Sequence, residues 1–270
     1  MVQRLFMSVM VAAGLALLAL SNAVNAAPVS VRVAVENLAP TNSASFAPLR
    51  LGFHAGTFDA FNNGQVATAP IVSVAEGGSG SDWFPAFAIA DPTAVLGSVG
   101  GALLPGASAS GTFIVDSVIN RFFTFASMVI PSNDLFIGND APTAFELFDA
   151  AGNLRINSIG QTAGQIWDAG SETADPANAA FVVGGVNDNR TPQNGVVSFS
   201  FAELAVFNGL ATAGGYVFDS SALTTGTNVY RISFTTSAVP EPASLALLTA
   251  GLLALGWGLR RQRSTLSSAS

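Results

Sequence analysis

Val29-Ser30-Val31-Arg32-Val33-Ala34-Val35-Glu36 alternates valine with smaller or polar residues. Successive side chains on an extended chain point to opposite faces, so this stretch predicts a β-strand with one face in an apolar core and the other toward water. Four further runs read the same way: Thr112 to Val118, Phe122 to Ile130, Val196 to Phe201 and Asn228 to Phe234 are rich in β-branched or aromatic residues and are separated by Gly, Pro and Asn clusters. Helical signals are sparse. Thr57 to Asn62 and Ala141 to Ala150 each suit a short helix or turn, and Ala202 to Leu210 is ambiguous between helix and strand. Short strands joined by turn-rich loops, with no regular strand–helix alternation and no internal repeat, predict an all-β fold, an antiparallel β-sandwich with short helices.

The ends of the chain differ from this body. Arg4 precedes an apolar run from Leu5 to Leu20, and Val24-Asn25-Ala26 offers small residues, so residues 1–26 read as a signal peptide cut by signal peptidase after Ala26. At the other end Val239-Pro240-Glu241-Pro242 leads into 17 uncharged residues, Ala243 to Leu259, followed by Arg260, Arg261 and Arg263. A helix of that length spans roughly 26 Å, enough to cross a bilayer, and the arginines hold its end, with residues 264–270 as a short tail, on the cytoplasmic side. The order of Pro-Glu-Pro, apolar helix and arginine cluster over residues 239–263 resembles the PEP-CTERM sorting signal; an ordinary membrane anchor after a Pro-rich linker is the alternative. The resemblance implies processing by the membrane protease called exosortase, in a Gram-negative bacterium that makes extracellular polysaccharide. The expected location is therefore the envelope or exterior, with inner-membrane anchoring before the tail is processed, and the body is a single domain at residues 27–238.

That body carries six arginines, no lysine and sixteen carboxylates, a net charge near −10. Such a surface repels phosphate backbones, which excludes nucleic acid as a partner and leaves divalent cations as the plausible charged ones. With no cysteine in the chain, disulfides and thiolate metal sites are excluded, and stability falls to an apolar core that nineteen of the chain's twenty phenylalanines are placed to help fill.

Two segments place carboxylates where strands give way to loops: Pro131-Ser132-Asn133-Asp134-Leu135-Phe136-Ile137-Gly138-Asn139-Asp140, and Trp167-Asp168-Ala169-Gly170-Ser171-Glu172. Oxygen ligands from neighbouring loops suit calcium, which takes about six to eight oxygens in flexible geometry. The bland reading of Asp134 is an Asx-turn to its own backbone two residues on. Ser127 to Gly138 and Trp167 to Glu172 resemble two strings of the spondin N-terminal domain, with weaker agreement at Leu51 to Phe61 and at Ala75-Glu76-Gly77-Gly78. The resemblance covers roughly Ala27 to Thr236 and implies a C2-like β-sandwich, one bound divalent cation, calcium by expectation, and a part in extracellular adhesion. Asp134 and Asp168 fall on that family's ligand positions. A third ligand lies on the preceding strand in the animal members, where Asp116 is the nearest carboxylate, and Asp140 and Glu172 are second choices, acting through water.

Catalytic signals are thin. His54 is the lone histidine, and no Gly-x-Ser-x-Gly elbow, P-loop or Gly-x-Gly-x-x-Gly helix start is present, so the expectation is that the chain is not an enzyme. Glu76 with Asp82, or Asp168 with Glu172, would be the carboxylate pairs of a glycosidase. Trp83-Phe84 suits either a stacking surface for sugar rings or the core. Asn189-Arg190-Thr191 has the form of a glycosylation acceptor and reads as a turn. The expected function is an adhesion or matrix-binding module whose ligand is an extracellular polysaccharide or surface group. A hydrolase of extracellular polymer and a purely structural envelope protein are the alternatives.

Overall fold

The computed structural model describes residues 28–239 and 251–252. The proposed signal peptide and, save for the helical pair Gly251 and Leu252, the membrane helix, arginine cluster and final residues lie outside these. Among the described residues no helix is long and apolar enough to cross a membrane. The body up to Ser237 and the tail from Ala238 form separate compact units.

Among the described residues eleven strands make two sheets: β1 (Val29–Asn37), β2 (Ser45–Phe46), β3 (Leu49–His54), β4 (Val95–Val99), β5 (Ser108–Val115), β6 (Phe122–Ile130), β7 (Leu135–Gly138), β8 (Ser158–Thr162), β9 (Trp167–Asp168), β10 (Ser198–Phe199) and β11 (Asn228–Ala238). The smaller sheet runs β5-β1-β11-β8, and the larger runs β10-β9-β7-β6-β3-β4 with β2 added beside β6. The strand that opens the sequence behaves as its alternation requires: Val31, Val33 and Val35 are buried while Arg32 is exposed. Antiparallel pairing with β5 along eight consecutive residue pairs fixes its register.

Where the sheets face each other, the β1 valines meet Val229, Ile232 and Phe234 of β11, and Leu51 and Phe53 of β3 meet Phe123 and Phe125 of β6. The larger sheet is buried on its other face as well. There Ala126, Phe136 and Trp167 pack under two helices, α1 (Ala69–Gly77) and α2 (Trp83–Ala90), through Ile71, Val74, Trp83 and Phe87. This double burial explains why Phe123 to Ile130 are all buried and why β6 reads as a continuous apolar run, not an alternation.

The sandwich matches the expectation, and β1 and β6 fall where the sequence places them. Other elements differ. β5 starts earlier, at Ser108, and ends at Val115, because an edge strand paired only with β1 tolerates the small residues Ser108-Ala109-Ser110-Gly111. The run from Val196 keeps only two strand residues, and Phe201–Phe207 forms a 3-10 helix. Thr57 to Asn62 is an irregular segment whose Phe58 and Phe61 plug the helical layer, and Ala141 to Ala150 makes turns and single bridges.

Both helices escape a periodicity test because they are short and apolar nearly all round. Their borders are legible nonetheless. Pro70 sits in the first turn of α1, and Gly78, at φ 57°, ends the helix with its N–H on the Val74 carbonyl and the next N–H, of Ser79, on Ser73. Gly52 lets α2 approach the sheet, since a Cβ there would lie 2.4 Å from the Phe87 ring. Trp83, weighed as a sugar platform, is wholly buried against Phe58 and Phe87.

Phe123 joins the two sheets: its ring lies 5.2 Å from Phe53 within its own sheet and 4.9 Å from Phe234 in the other. Phe123→Ala is expected to lower unfolding free energy by about 3–5 kcal/mol, read as a fall in the urea midpoint at unchanged slope.

Candidate cation site

Asp134 ends the loop between β6 and β7, a loop held from within. The Ser132 hydroxyl donates to the Val129 carbonyl (2.5 Å) and accepts the Leu135 N–H (3.2 Å), and Asn133 Oδ1 accepts the Asp175 N–H (2.9 Å). Asp168 follows Trp167 on β9, directly across from Leu135. That register sets the two aspartates side by side at one end of the strand pair.

Asp134 does not make the local turn. Its Oδ2 accepts the N–H groups of Ser171 (2.8 Å) and Glu172 (2.9 Å) and the Ser171 hydroxyl (3.2 Å), tying the β6–β7 loop to the loop after β9. Asp168 does make one: its Oδ1 accepts the Gly170 N–H (2.6 Å). Gly170 is required here, with φ at 66° and a Cβ position only 2.7 Å from the Val196 nitrogen.

The third carboxylate is Glu203, on the 3-10 helix; one oxygen from each of Asp134, Asp168 and Glu203 lies within 4.8 Å of the others. Both aspartates are almost fully buried. Burial first, and then the Asp168 charge, push the Asp134 carboxyl up to about 7 against the three donors that oppose the shift. Burial likewise raises Asp168 to about 6, opposed by the Gly170 N–H and reinforced by Glu203.

The other expected ligands lie elsewhere. Asp116 stands past the end of β5, where its Oδ1 caps a turn by accepting the N–H groups of Val118 and Ile119, both at 3.0 Å. Glu172 lends the pair its backbone, not its carboxylate; the buried side chain binds Arg190 at 2.9 Å and the Thr191 N–H at 3.2 Å, and burial raises its pKa. Arg190 also reaches Glu76 at 3.4 Å, so Glu172 belongs to a separate ion-pair network in which one arginine serves two glutamates. Asp140 follows the far end of β7 and lines a different cleft. Glu203 does not stand out in the sequence because its segment has no clear period. The readable sign was Ser200 three residues before it, whose hydroxyl donates to Glu203 Oε1 at 3.0 Å.

The donor set is hard oxygen throughout, without histidine or thiolate, and comes from three segments. It suits calcium or magnesium far better than zinc. His54 is fully buried between Thr124 and the Gly56 N–H, and burial holds its pKa down to about 4.

Residues 238–262 match the family model for the PEP-CTERM protein-sorting motif, which implies export to the cell envelope and processing by an exosortase. No curated protein matches the chain.

Asp134 and Asp168 hold their protons more tightly in the folded chain than at the ordinary aspartate value of 3.8. The stability this gives is complete below that value and is lost as pH rises through about 6 and 7. In chelator, the melting temperature of the wild type relative to Asp134→Asn is therefore expected to fall from pH 4 to pH 7.5. A constant difference would show that Asp134 is an ordinary surface carboxylate.

Proposed function

We propose that this exported chain is a binding module of the cell envelope, acting in adhesion to extracellular polysaccharide or a surface ligand, and that it holds one divalent cation, calcium, between Asp134, Asp168 and Glu203. The convergence of three carboxylates, two of them buried, within 4.8 Å carries the reading. Like charges so close and so poorly hydrated repel unless protons or a cation lie among them, and near pH 7 a cation competes well with protons. The three side chains would supply part of calcium's oxygen shell, with water and carbonyl oxygens completing it.

The two sequence strings that resemble the spondin N-terminal domain also supply Asp134 and Asp168, which supports a cation role of the kind found in that family. The sorting motif supports action outside the cytoplasm. In this reading the chain binds and does not turn over substrate. The lone histidine is sealed in the core, and Glu172, one of the carboxylates weighed for glycosidase work, is already paired with Arg190.

Calorimetric titration of the purified chain with CaCl₂ near pH 7.5 is expected to show saturable binding, with affinity reduced about tenfold or more by Asp134→Asn, Asp168→Asn or Glu203→Gln. Glu172→Gln should change it far less. Heats indistinguishable between wild type and the Asp134→Asn and Asp168→Asn variants would overturn the cation assignment.

A further inference from the structure

Where the chain leaves β8 in the smaller sheet and crosses to β9 in the larger, a cleft of about 290 Å³ opens beside Trp167 and Phe199. Its volume is at the lower end of small-molecule sites. Phe199 stacks on the Trp167 indole with centroids 3.7 Å apart and is 52% exposed, so its other face is open at the cleft. The indole beneath is fixed: its N–H donates to the Gly138 carbonyl at 3.0 Å, and Phe61 packs edge-on against it at 5.2 Å.

Polar groups line the rest of the cleft. Gln161 is 4% exposed, and its Nε2 donates to the Gly160 carbonyl at 3.0 Å, but none of the described residues donates to its Oε1. That Oε1 is open to the cleft and free to accept a hydrogen bond from a ligand or water hydroxyl. Gln165 uses its Oε1 to accept the Thr162 N–H, which leaves its Nε2 as a donor at the rim. Asn63 and Asp140 add an amide and a carboxylate that make no hydrogen bond to other described side chains in this cleft.

We propose that this cleft binds a neutral sugar ring, one residue of an extracellular polysaccharide, with its C–H face on Phe199 and its hydroxyls on Gln161, Gln165, Asn63 and Asp140. An aromatic face beside convergent amide and carboxylate groups suits a molecule that is apolar on one side and hydroxylated around its edge. Among the described residues no arginine lines the cleft, and Asp140 disfavours anionic sugars and phosphates. The inference rests on the reading of the chain as an exported binding module but uses none of the carboxylates of the cation site. Asp140 and Asp134 stand past opposite ends of β7.

The test is calorimetry of the full chain in detergent against cellohexaose, mannohexaose and maltohexaose, with polygalacturonate as the anionic comparison. At least one neutral oligomer is expected to bind in chelator. Phe199→Ala should weaken it about tenfold and Gln161→Leu should weaken it measurably, both with the calcium titration unchanged. Retention of sugar binding by Asp134→Asn supports the cleft even if calcium binding proves absent. No neutral oligomer bound up to about 10 mM, undiminished binding by Phe199→Ala, or tighter binding of polygalacturonate would each overturn the proposal.

Discussion

Carboxylates taken out of water at short range impose the strictest constraint on this structure. Asp134 and Asp168 lie within 4.8 Å of each other and of Glu203, in surroundings that hydrate charge poorly. The backbone answers part of the demand through the N–H groups of Ser171, Glu172 and Gly170. Those donors do not offset the whole effect, since both aspartates stay raised. The remaining demand is for positive charge, which protons meet at low pH; at neutral pH it is the ground for the proposed cation. Arg190, which stands close to the same loop, is committed to Glu172 and Glu76.

The architecture holds those loops in register. β6 lies at the centre of the larger sheet, with the sandwich core on one side and the helical layer on the other, and β7 and β9 follow it toward the edge. Because both faces of β6 are packed, the β6–β7 loop starts from an anchored base. The pairing of Leu135 with Asp168 and of Phe136 with Trp167 divides two neighbouring residues between two tasks. Asp168 joins the carboxylates, and Trp167, on the opposite face, packs against Phe61 and forms the floor under Phe199.

Two features of the surface and core follow from the same layering. The only histidine, His54, sits on the face of β3 covered by α2, where the Phe87 ring meets it edge-on at 5.1 Å, so it takes a structural place in the core. The exposed Phe199 marks the opposite case, at the edge of the larger sheet on β10, where no further strand or helix covers it among the described residues.

From sequence alone the sandwich class, the first and sixth strands, the acidic balance and the sorting motif could be read, because each depends on local pattern: period-two valines, a run of β-branched and aromatic residues, a count of charges, a short ordered motif. Asp134 and Asp168 were legible too, through the strings that contain them. Tertiary structure alone decided that these aspartates meet, that Glu203 and not Asp116 joins them, and that Glu172 turns away to Arg190. It also decided that Trp83 is core while Phe199 is surface. The reason is physical: local pattern fixes which face a side chain takes, but the register of β7 against β9 and the path of the 3-10 helix fix which distant side chains share that face. Those depend on packing between segments tens of residues apart.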